Sequence, residues 1–202
     1  ELRDLNDKLQ NSISDKTMDV QQANARTQLL HQTVLMAAEI GNYNEALLFC
    51  CRLVCETVGS PIGHIYKIDD ENDSQLVTTD LQWSAQEETQ QPFQKLVADW
   101  KFPKGIGLPG AVWESNKAIW IPDIDKDPGY PRFLGDIDEK LTGAVAFPVT
   151  SDSEFVAVLE FFVERSLQPS GQFLRLLETI GQQVGQVLER RNALEVTRQA
   201  KE

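Results

Sequence analysis

The chain has 202 residues and a formal net charge of −12, with 19 Lys and Arg against 31 Asp and Glu. This acidic balance argues against binding to nucleic acid, whose phosphates favour Lys and Arg, and against a polybasic membrane-surface role. No stretch reaches the roughly twenty apolar residues of a membrane span, so we expect no direct membrane insertion.

The N-terminal part of the chain carries helical periodicity. Residues 1–58 show this periodicity with a break near Gly41, and from Leu2 to Ala37 apolar side chains recur at the spacing of a coiled-coil seam. Asn6, Lys16 and Thr27 interrupt this seam and weaken any pairing. A weak seam with two registers of similar energy can be switched by a small input. The alternative is a plain packing helix.

All three cysteines fall within this helical region. Cys50, Cys51 and Cys55 are odd in number and share one helix, which favours a reducing compartment and small buried apolar side chains. Cys51 and Cys55 are spaced like two metal ligands, but no further Cys or His lies nearby to complete a zinc set. We therefore predict no metal site.

The periodicity changes to that of strands after Gly59. Ile62–Ile68 and Leu76–Trp83 are predicted strands, and the acidic turn 69–73 joins them as a hairpin. Residues 86–100 then predict a helix with one apolar side.

Residues 105–110 spell GxGxxG, the fingerprint of dinucleotide-binding folds. That fingerprint needs a buried strand before it and a full crossover helix after it. Here the preceding residues 99–104 are polar and contain Pro103. Only the short helix Leu108–Ser115 separates the motif from a predicted strand at 118–121. A parallel crossover needs about a dozen residues, so we interpret these glycines as turn positions.

The remaining elements complete an α+β pattern. Residues 122–135 are loop-like, and Gly143–Val149 and Phe155–Val163 form an apolar antiparallel pair through the turn 151–153. A final helix begins near Gly171 and carries a second apolar seam. Strands grouped between helices predict an antiparallel sheet with helices on its faces.

At this point the chain resembles a GAF domain of bacterial signalling proteins, over roughly residues 38–195. Five stretches occur in the expected order, and together they are similar to the GAF domains of sensor histidine kinases and diguanylate cyclases. The stretches are Pro61-Ile-Gly-His-Ile-Tyr66; Phe102-Pro-Lys-Gly-Ile-Gly-Leu-Pro-Gly-Ala-Val-Trp113; Ile119-Trp-Ile-Pro-Asp123 with Asp127-Pro128; Ala144-Val-Ala-Phe-Pro-Val149 with Val158-Leu-Glu-Phe-Phe162; and Ile180-Gly-Gln-Gln-Val-Gly-Gln186 with Glu189-Arg-Arg191.

The resemblance implies a sheet of about six antiparallel strands, with the terminal helices on one face and a ligand pocket under short helices and loops on the other. It implies a homodimer through the N- and C-terminal helices. We expect a signalling helix over 1–37, the GAF domain over 38–190, and an extension over 191–202 toward an output domain in the same chain. We expect a cytoplasmic location, with attachment to a larger membrane receptor as an option.

The specialised branches of the family match poorly. The cyclic-nucleotide signature has look-alikes at Asn116-Lys117, Phe133 and Asp138-Glu139, but in the wrong elements. Covalent bilin attachment and methionine sulfoxide reduction use cysteines in the pocket region, and this chain has none after Cys55. No nucleophile, base and oxyanion donors can be assembled, so we expect no catalysis within these residues.

The candidate site is a small-molecule pocket of unknown ligand, or a pocket filled by its own aromatics in a ligand-free spacer module. Its predicted residues are His64, Tyr66, Trp83, Trp113, Trp120, Arg132, Phe133 and Glu160. His64 is either a structural histidine or a haem ligand, and Arg132 is the candidate partner of an anionic ligand. Glu160 is a costly charge in an apolar strand. It either pairs with His64 across the sheet or bonds a Trp or backbone N–H.

Overall fold

The computed structural model describes residues 28, 40, 42–124, 126–127, 141–151, 154–164 and 170–199, without the side chains of 87, 164 and 191–199. Within these ranges six strands form one antiparallel sheet in the order β3-β2-β1-β6-β5-β4. The strands are β1 Ile62–Ile68, β2 Gln75–Ser84, β3 Lys101–Pro103, β4 Ile119–Ile121, β5 Leu141–Thr150 and β6 Phe155–Glu164. The helices are α1 Tyr43–Val58, α2 Glu87–Val97, α3 Gly107–Ser115 and α4 Gly171–Gln199.

The sheet separates two apolar cores, which confirms the predicted α+β architecture. On one face, the helix face, α1 and α4 pack against alternate residues of the central strands. On the other, the site face, α2 and α3 contribute Phe93, Val97, Leu108 and Val112 to a second core. The central strands β5 and β6 are buried on both sides, as their continuous apolar sequences predict.

Helix α1 has defined ends that set its position. The Asn42 side chain accepts a hydrogen bond from the backbone N–H of Asn44 at 2.9 Å and caps the N-terminus. Gly59 ends the helix in the left-handed region at φ 70°, where glycine carries no steric penalty. The chain then turns directly into β1, so α1 lies against the central strand.

Strand β2 contains a bulge that decides which side chains reach the site face. His64 is opposite Gln82, but two positions later Tyr66 is opposite Thr78, so β2 carries two extra residues between these pairs. Regular pairing would place Asp80 opposite Tyr66. The bulge instead leaves Asp80 exposed, and the Thr79 hydroxyl donates a 2.6 Å hydrogen bond to the Ile65 carbonyl.

Helix α4 lies in backbone contact with β5. A Cβ atom at Gly181 would lie 2.0 Å from the carbonyl oxygen of Pro148, and one at Gly185 would lie 2.1 Å from that of Thr150. Real Cβ atoms do not approach so closely, so these two glycines permit the contact. The terminal helix is therefore fixed to the strand that borders the site face.

Several predicted bounds differ from the structure. The helix predicted over 86–100 ends at Val97, and Lys101–Pro103 forms an edge strand on β2 that the sequence reading missed. The GxGxxG segment links β3 to α3, and Gly105 and Gly107 have φ of 83° and 65°. Because the next strand, β4, pairs antiparallel with β5, the segment belongs to no parallel crossover.

Except for residue 28, the predicted N-terminal seam over 1–37 lies outside the described residues. In the second seam, Leu177, Ile180 and Val184 are buried in the helix-face core of the chain itself, and the side chains of 191–202 lie outside the described residues. Dimerisation through the terminal helices stays a prediction. Within the described part of the chain, no helix has the length and apolar character needed to cross a membrane.

We predict that Gly181→Ala lowers the free energy of unfolding by about 1–3 kcal/mol, because the new methyl group must push α4 away from Pro148. Gly171→Ala is the matched control in the same helix, since its Cβ would meet nothing closer than 3.7 Å. Urea unfolding of both variants measures the difference. Equal stability of the two would contradict the close approach of α4.

Candidate functional site

The site face of the sheet contains a cluster of buried polar side chains in an apolar core. Among the described residues the buried polar or charged side chains are Ser60, His64, Gln82 and Glu160. His64 on β1 pairs with Gln82 on β2 and with Glu160 on β6, so all three project from the same face. Three adjacent strands thus place polar groups at one point.

Glu160 is held by Tyr66. The Tyr66 hydroxyl donates a 2.8 Å hydrogen bond to Glu160 Oε2, and both side chains are fully buried. Burial, followed by the negative charge and the hydrogen bond of Glu160, raises the pKa of Tyr66 well above its usual value. Tyr66 therefore stays protonated and remains a donor at physiological pH.

His64 and Glu160 are ladder partners, as hypothesised, but the hydrogen bond of His64 goes elsewhere. His64 Nε2 lies 2.6 Å from the Thr78 hydroxyl, which the bulge in β2 brings within reach. The other ring nitrogen, Nδ1, is buried and has no hydrogen-bond partner among the described residues. Burial lowers the pKa of His64 to about 3, so the ring is neutral at physiological pH.

Gln82 presents a second unpaired atom next to His64. Its Nε2 donates a 2.9 Å hydrogen bond to the Gln90 carbonyl of α2, which fixes the orientation of the amide. Its Oε1 is buried, and no group in the described part of the chain bonds to it. Leaving such an atom unsatisfied costs about 1–3 kcal/mol, so two of them side by side are unusual in a purely structural core.

Aromatic rings cover this polar cluster. The Phe93 ring of α2 lies 5.6 Å from the His64 ring and 5.4 Å from the Phe162 ring, both edge to face. Tyr66 makes a similar contact with Phe102 of β3 at 5.4 Å. The space over His64 is thus occupied by Phe93.

Two of the tryptophans predicted to line the pocket pack against the helix-face core instead. Trp83 alternates with Gln82 in β2 and packs in the helix-face core, so its assignment to the pocket with His64 is wrong. Trp120 packs against the same core. Arg132 and Phe133 lie outside the described residues.

Trp113 lies at the rim and not in the polar cluster. Lys104 Nζ sits 5.4 Å from the centre of its ring, and both line an open cleft of about 530 Å³. Trp120 borders a second cleft of about 440 Å³ beside β4. Neither cleft is lined by His64, Gln82 or Glu160.

Three contributors to the cluster were missed by sequence reasoning: Gln82, Thr78 and Phe93. Gln82 carried one signal, because it lies in the predicted strand one residue before Trp83 and so must face opposite to it. Thr78 depends on the bulge, and Phe93 on how α2 docks, and neither is readable from periodicity.

The cysteines lie on the helix face, away from the cluster. A Cβ at Gly63 would be 2.6 Å from both Cys51 Sγ and Cys55 Sγ, so the thiols pack on the back of β1. Burial raises the pKa of Cys50 and Cys51, which keeps these thiols protonated and unreactive.

Haem does not fit the cluster. The His64 Nε2 atom is bonded to Thr78, and the Phe93 ring packs edge-on against the imidazole. Nδ1 of His64 is also buried, so among the described residues neither ring nitrogen is open to a macrocycle. The haem alternative for His64 is therefore set aside on geometry.

We predict that Tyr66→Phe lowers the free energy of unfolding by about 1.5–3 kcal/mol, because the buried Glu160 carboxylate loses a donor. Tyr43→Phe is the control. Tyr43 is half-buried, and its ring keeps its contact with Lys67 Nζ, 4.6 Å from the ring centre, when the hydroxyl is removed. If chemical denaturation shows that both variants lose the same free energy of unfolding, the result would argue against the Tyr66–Glu160 hydrogen bond.

His64 also predicts a pH dependence of stability. Its imidazole takes a proton below about pH 6.5 in the unfolded chain, but only near pH 3 in the fold. The unfolded state then binds more protons, so stability falls by about 2 kcal/mol between pH 7 and pH 5. His64→Gln should abolish this part of the loss, whereas His31→Gln, at the other histidine, should retain it. Identical pH profiles for the wild type and His64→Gln would refute the assignment.

Comparisons with known proteins agree on one family. A family model described as a GAF domain matches residues 42–189. None of the curated proteins compared with the sequence matches it significantly.

Solved structures share the fold at low identity. The GAF domain of a phosphoenolpyruvate-protein phosphotransferase from Coxiella burnetii is 18% identical with a TM-score of 0.67, over 86% of this chain and 98% of that one. The A. aeolicus nlh2 GAF domain in an inactive state is 18% identical with a TM-score of 0.63, over 84% and 98%.

A third similar structure is an enzyme. The free methionine-R-sulfoxide reductase from Neisseria meningitidis, in complex with its substrate, is 19% identical with a TM-score of 0.61, over 87% of this chain and 91% of that one. At these identities the likeness shows the fold, and the family match covers most of the chain. The chain belongs to the GAF family.

Proposed function

We propose that this chain is the regulatory sensor domain of a cytoplasmic signal-transduction protein. In this proposal it binds a small molecule at the polar cluster under α2. As a homodimer paired through its terminal helices, it relays binding to an output domain of the same polypeptide. The family supports a sensing role in general, and two of the similar structures are GAF domains of phosphotransferase and sensor-type proteins.

The unpaired atoms of the site face carry this proposal. His64 Nδ1 and Gln82 Oε1 belong to paired residues on adjacent strands, and each is buried without a hydrogen-bond partner among the described residues. A bound molecule that pairs with them would recover the free energy that the unbound fold forgoes. A core kept only for stability gains nothing from either atom.

The sheet supplies a route from this site to the terminal helix. Ala146 of β5 is the ladder partner of Glu160, and the next residues of β5 carry the Pro148 and Thr150 carbonyls that touch α4. In addition, Glu178 of α4 accepts a 2.9 Å hydrogen bond from the backbone N–H of Ala118, before β4. A ligand that binds one arrangement of these strands more tightly would bias α4 by that difference in affinity.

An enzymatic role like that of the methionine sulfoxide reductases has less support. Such chemistry needs a reactive thiol that faces the substrate. All cysteines of this chain are Cys50, Cys51 and Cys55, and they are buried on the opposite face of the sheet from the polar cluster. We therefore propose that these residues perform no catalysis.

The ligand-free spacer module is the second candidate, and one observation favours it. Phe93 fills the space above His64, so the chain supplies its own aromatic side chain where a ligand would lie. The spacer alternative leaves the two unpaired polar atoms without a purpose.

Native mass spectrometry of the purified protein distinguishes the two. We expect a dimer heavier than twice the 22.8 kDa chain, because a ligand bound at the cluster is retained. A dimer with no added mass, before and after incubation with a small-molecule cell extract, would contradict the sensor role and favour the spacer. A monomer at micromolar concentration would contradict pairing through the terminal helices.

A further inference from the structure

The polar cluster restricts the chemistry of what it can bind, and this inference rests on the proposed sensing function. The Gln82 amide uses its nitrogen to hold the Gln90 carbonyl, so only Oε1 is directed into the core. That oxygen accepts hydrogen bonds and cannot donate. A partner for Gln82 must therefore bring an N–H or O–H group.

His64 adds a second condition. With Nε2 bonded to Thr78, the neutral ring offers Nδ1 either as an N–H donor or as a lone-pair acceptor, according to which group donates in that bond. The Cβ atoms of directly paired residues lie about 5 Å apart, so Nδ1 and the Gln82 oxygen can address one small polar group. A carboxamide or lactam edge carries an N–H for Gln82, together with a carbonyl or second N–H for either form of His64.

The covering residues define the rest of the ligand. Phe93 is an aromatic ring in edge-to-face contact with His64 and Phe162, so the space that it vacates would take a flat apolar group of similar size. A carboxylate would set its own lone pairs against Gln82 Oε1 and would lie near a second carboxyl group, that of Glu160, the ladder partner of His64. The chemistry thus matches a neutral ring compound with an amide edge.

Phe93 is also placed to compete with that ligand. It follows Pro92, which lacks the N–H that would bond to the carbonyl four residues earlier and so weakens the middle of α2. Within the described residues, α2 is tied to β2 by three side-chain hydrogen bonds, between Ser84 and Thr89, Gln82 and Gln90, and Gln94 and Asp80. None of the three belongs to the backbone ladder of the sheet, so α2 can shift without opening the sheet.

From these observations we infer that the site face takes a neutral planar amide or lactam, which bonds to Gln82 Oε1 and His64 Nδ1 and displaces the Phe93 ring. Gln82 determines specificity through its acceptor oxygen. Phe93 sets the affinity, because the ligand must replace it. Displacement of Phe93 shifts α2 relative to β2, which is the structural change that binding would produce.

The test uses three probes of one shape: benzamide, benzoate and toluene. Their dissociation constants are measured by ligand-observed NMR against the wild type, Phe93→Ala and Phe93→Ala/Gln82→Met. We expect Phe93→Ala to bind benzamide at least tenfold more tightly than the wild type does, and more tightly than it binds benzoate. Adding Gln82→Met should weaken the binding of benzamide about tenfold, which corresponds to the loss of one hydrogen bond. The binding of toluene should be unchanged.

The matched control is Gln75→Met, in the same strand and outside the cluster, combined with Phe93→Ala. Gln75 bonds to Asp69, and its replacement should leave benzamide binding unchanged. Phe93→Leu replaces Phe93→Ala if the latter does not fold. Equal affinity for benzamide and toluene, or tighter binding of benzoate, would overturn the amide assignment. Equal binding of benzamide by the wild type and Phe93→Ala would overturn the competing role of Phe93.

Different results would contradict the amide class of the ligand and the sensing function. If the purified protein carries a bound acid or a purely apolar molecule, the amide class is wrong while the sensing function stands. If Phe93→Ala selects benzamide through Gln82 but the wild-type dimer carries and takes up no small molecule, the chemistry of the cluster stands and the sensing function is wrong.

Discussion

The pairing of β1 with β2 on one side and β6 on the other is the constraint on which the rest of the structure depends. This register places His64, Gln82 and Glu160 side by side on one buried face. It also places Gly63 toward α1, where the Cys51 and Cys55 thiols occupy the room that a side chain would need. A shift by one residue would send the polar groups into the helix-face core and Ile65 into the cluster.

The polar cluster is only partly satisfied, and its unsatisfied part is confined to one edge. Tyr66 donates a hydrogen bond to Glu160, and the Thr78 hydroxyl bonds to one nitrogen of His64. The Gln90 carbonyl accepts a hydrogen bond from the Gln82 nitrogen. Each buried atom left over lowers stability, so a sequence selected for stability alone would replace it by an apolar group. The bulge in β2 makes the arrangement possible, because it turns Asp80 outward and brings Thr78 to His64.

Strand β5 contributes to both faces of the sheet. Its alanines line the site face, while its Pro148 and Thr150 carbonyls contact Gly181 and Gly185 of α4. Because packed cores transmit small displacements instead of absorbing them, a change at the cluster has a short physical path to the terminal helix. No side chain needs to connect the two faces, since the strand itself does so.

The sequence alone determined the family, the order of the elements and the burial of β5 and β6 on both sides, because period-two and helical patterns and turn residues are local properties. It also identified Glu160 and His64 as polar residues within apolar strands. Arg132, Phe133 and both dimer seams were predicted from the same patterns and stay predictions.

Only the tertiary structure decided which residues form the cluster. Alternation in β2 requires Trp83 and Gln82 to face opposite ways, but it does not say which of them faces the helices, and the larger apolar side chain was wrongly assigned to the pocket. The three-residue strand Lys101–Pro103 is too short to show a period. The contact of Thr78 with His64 depends on a bulge, and that of Phe93 on the docking of α2. These are long-range pairings, and a sequence pattern that repeats every two or four residues carries no record of them.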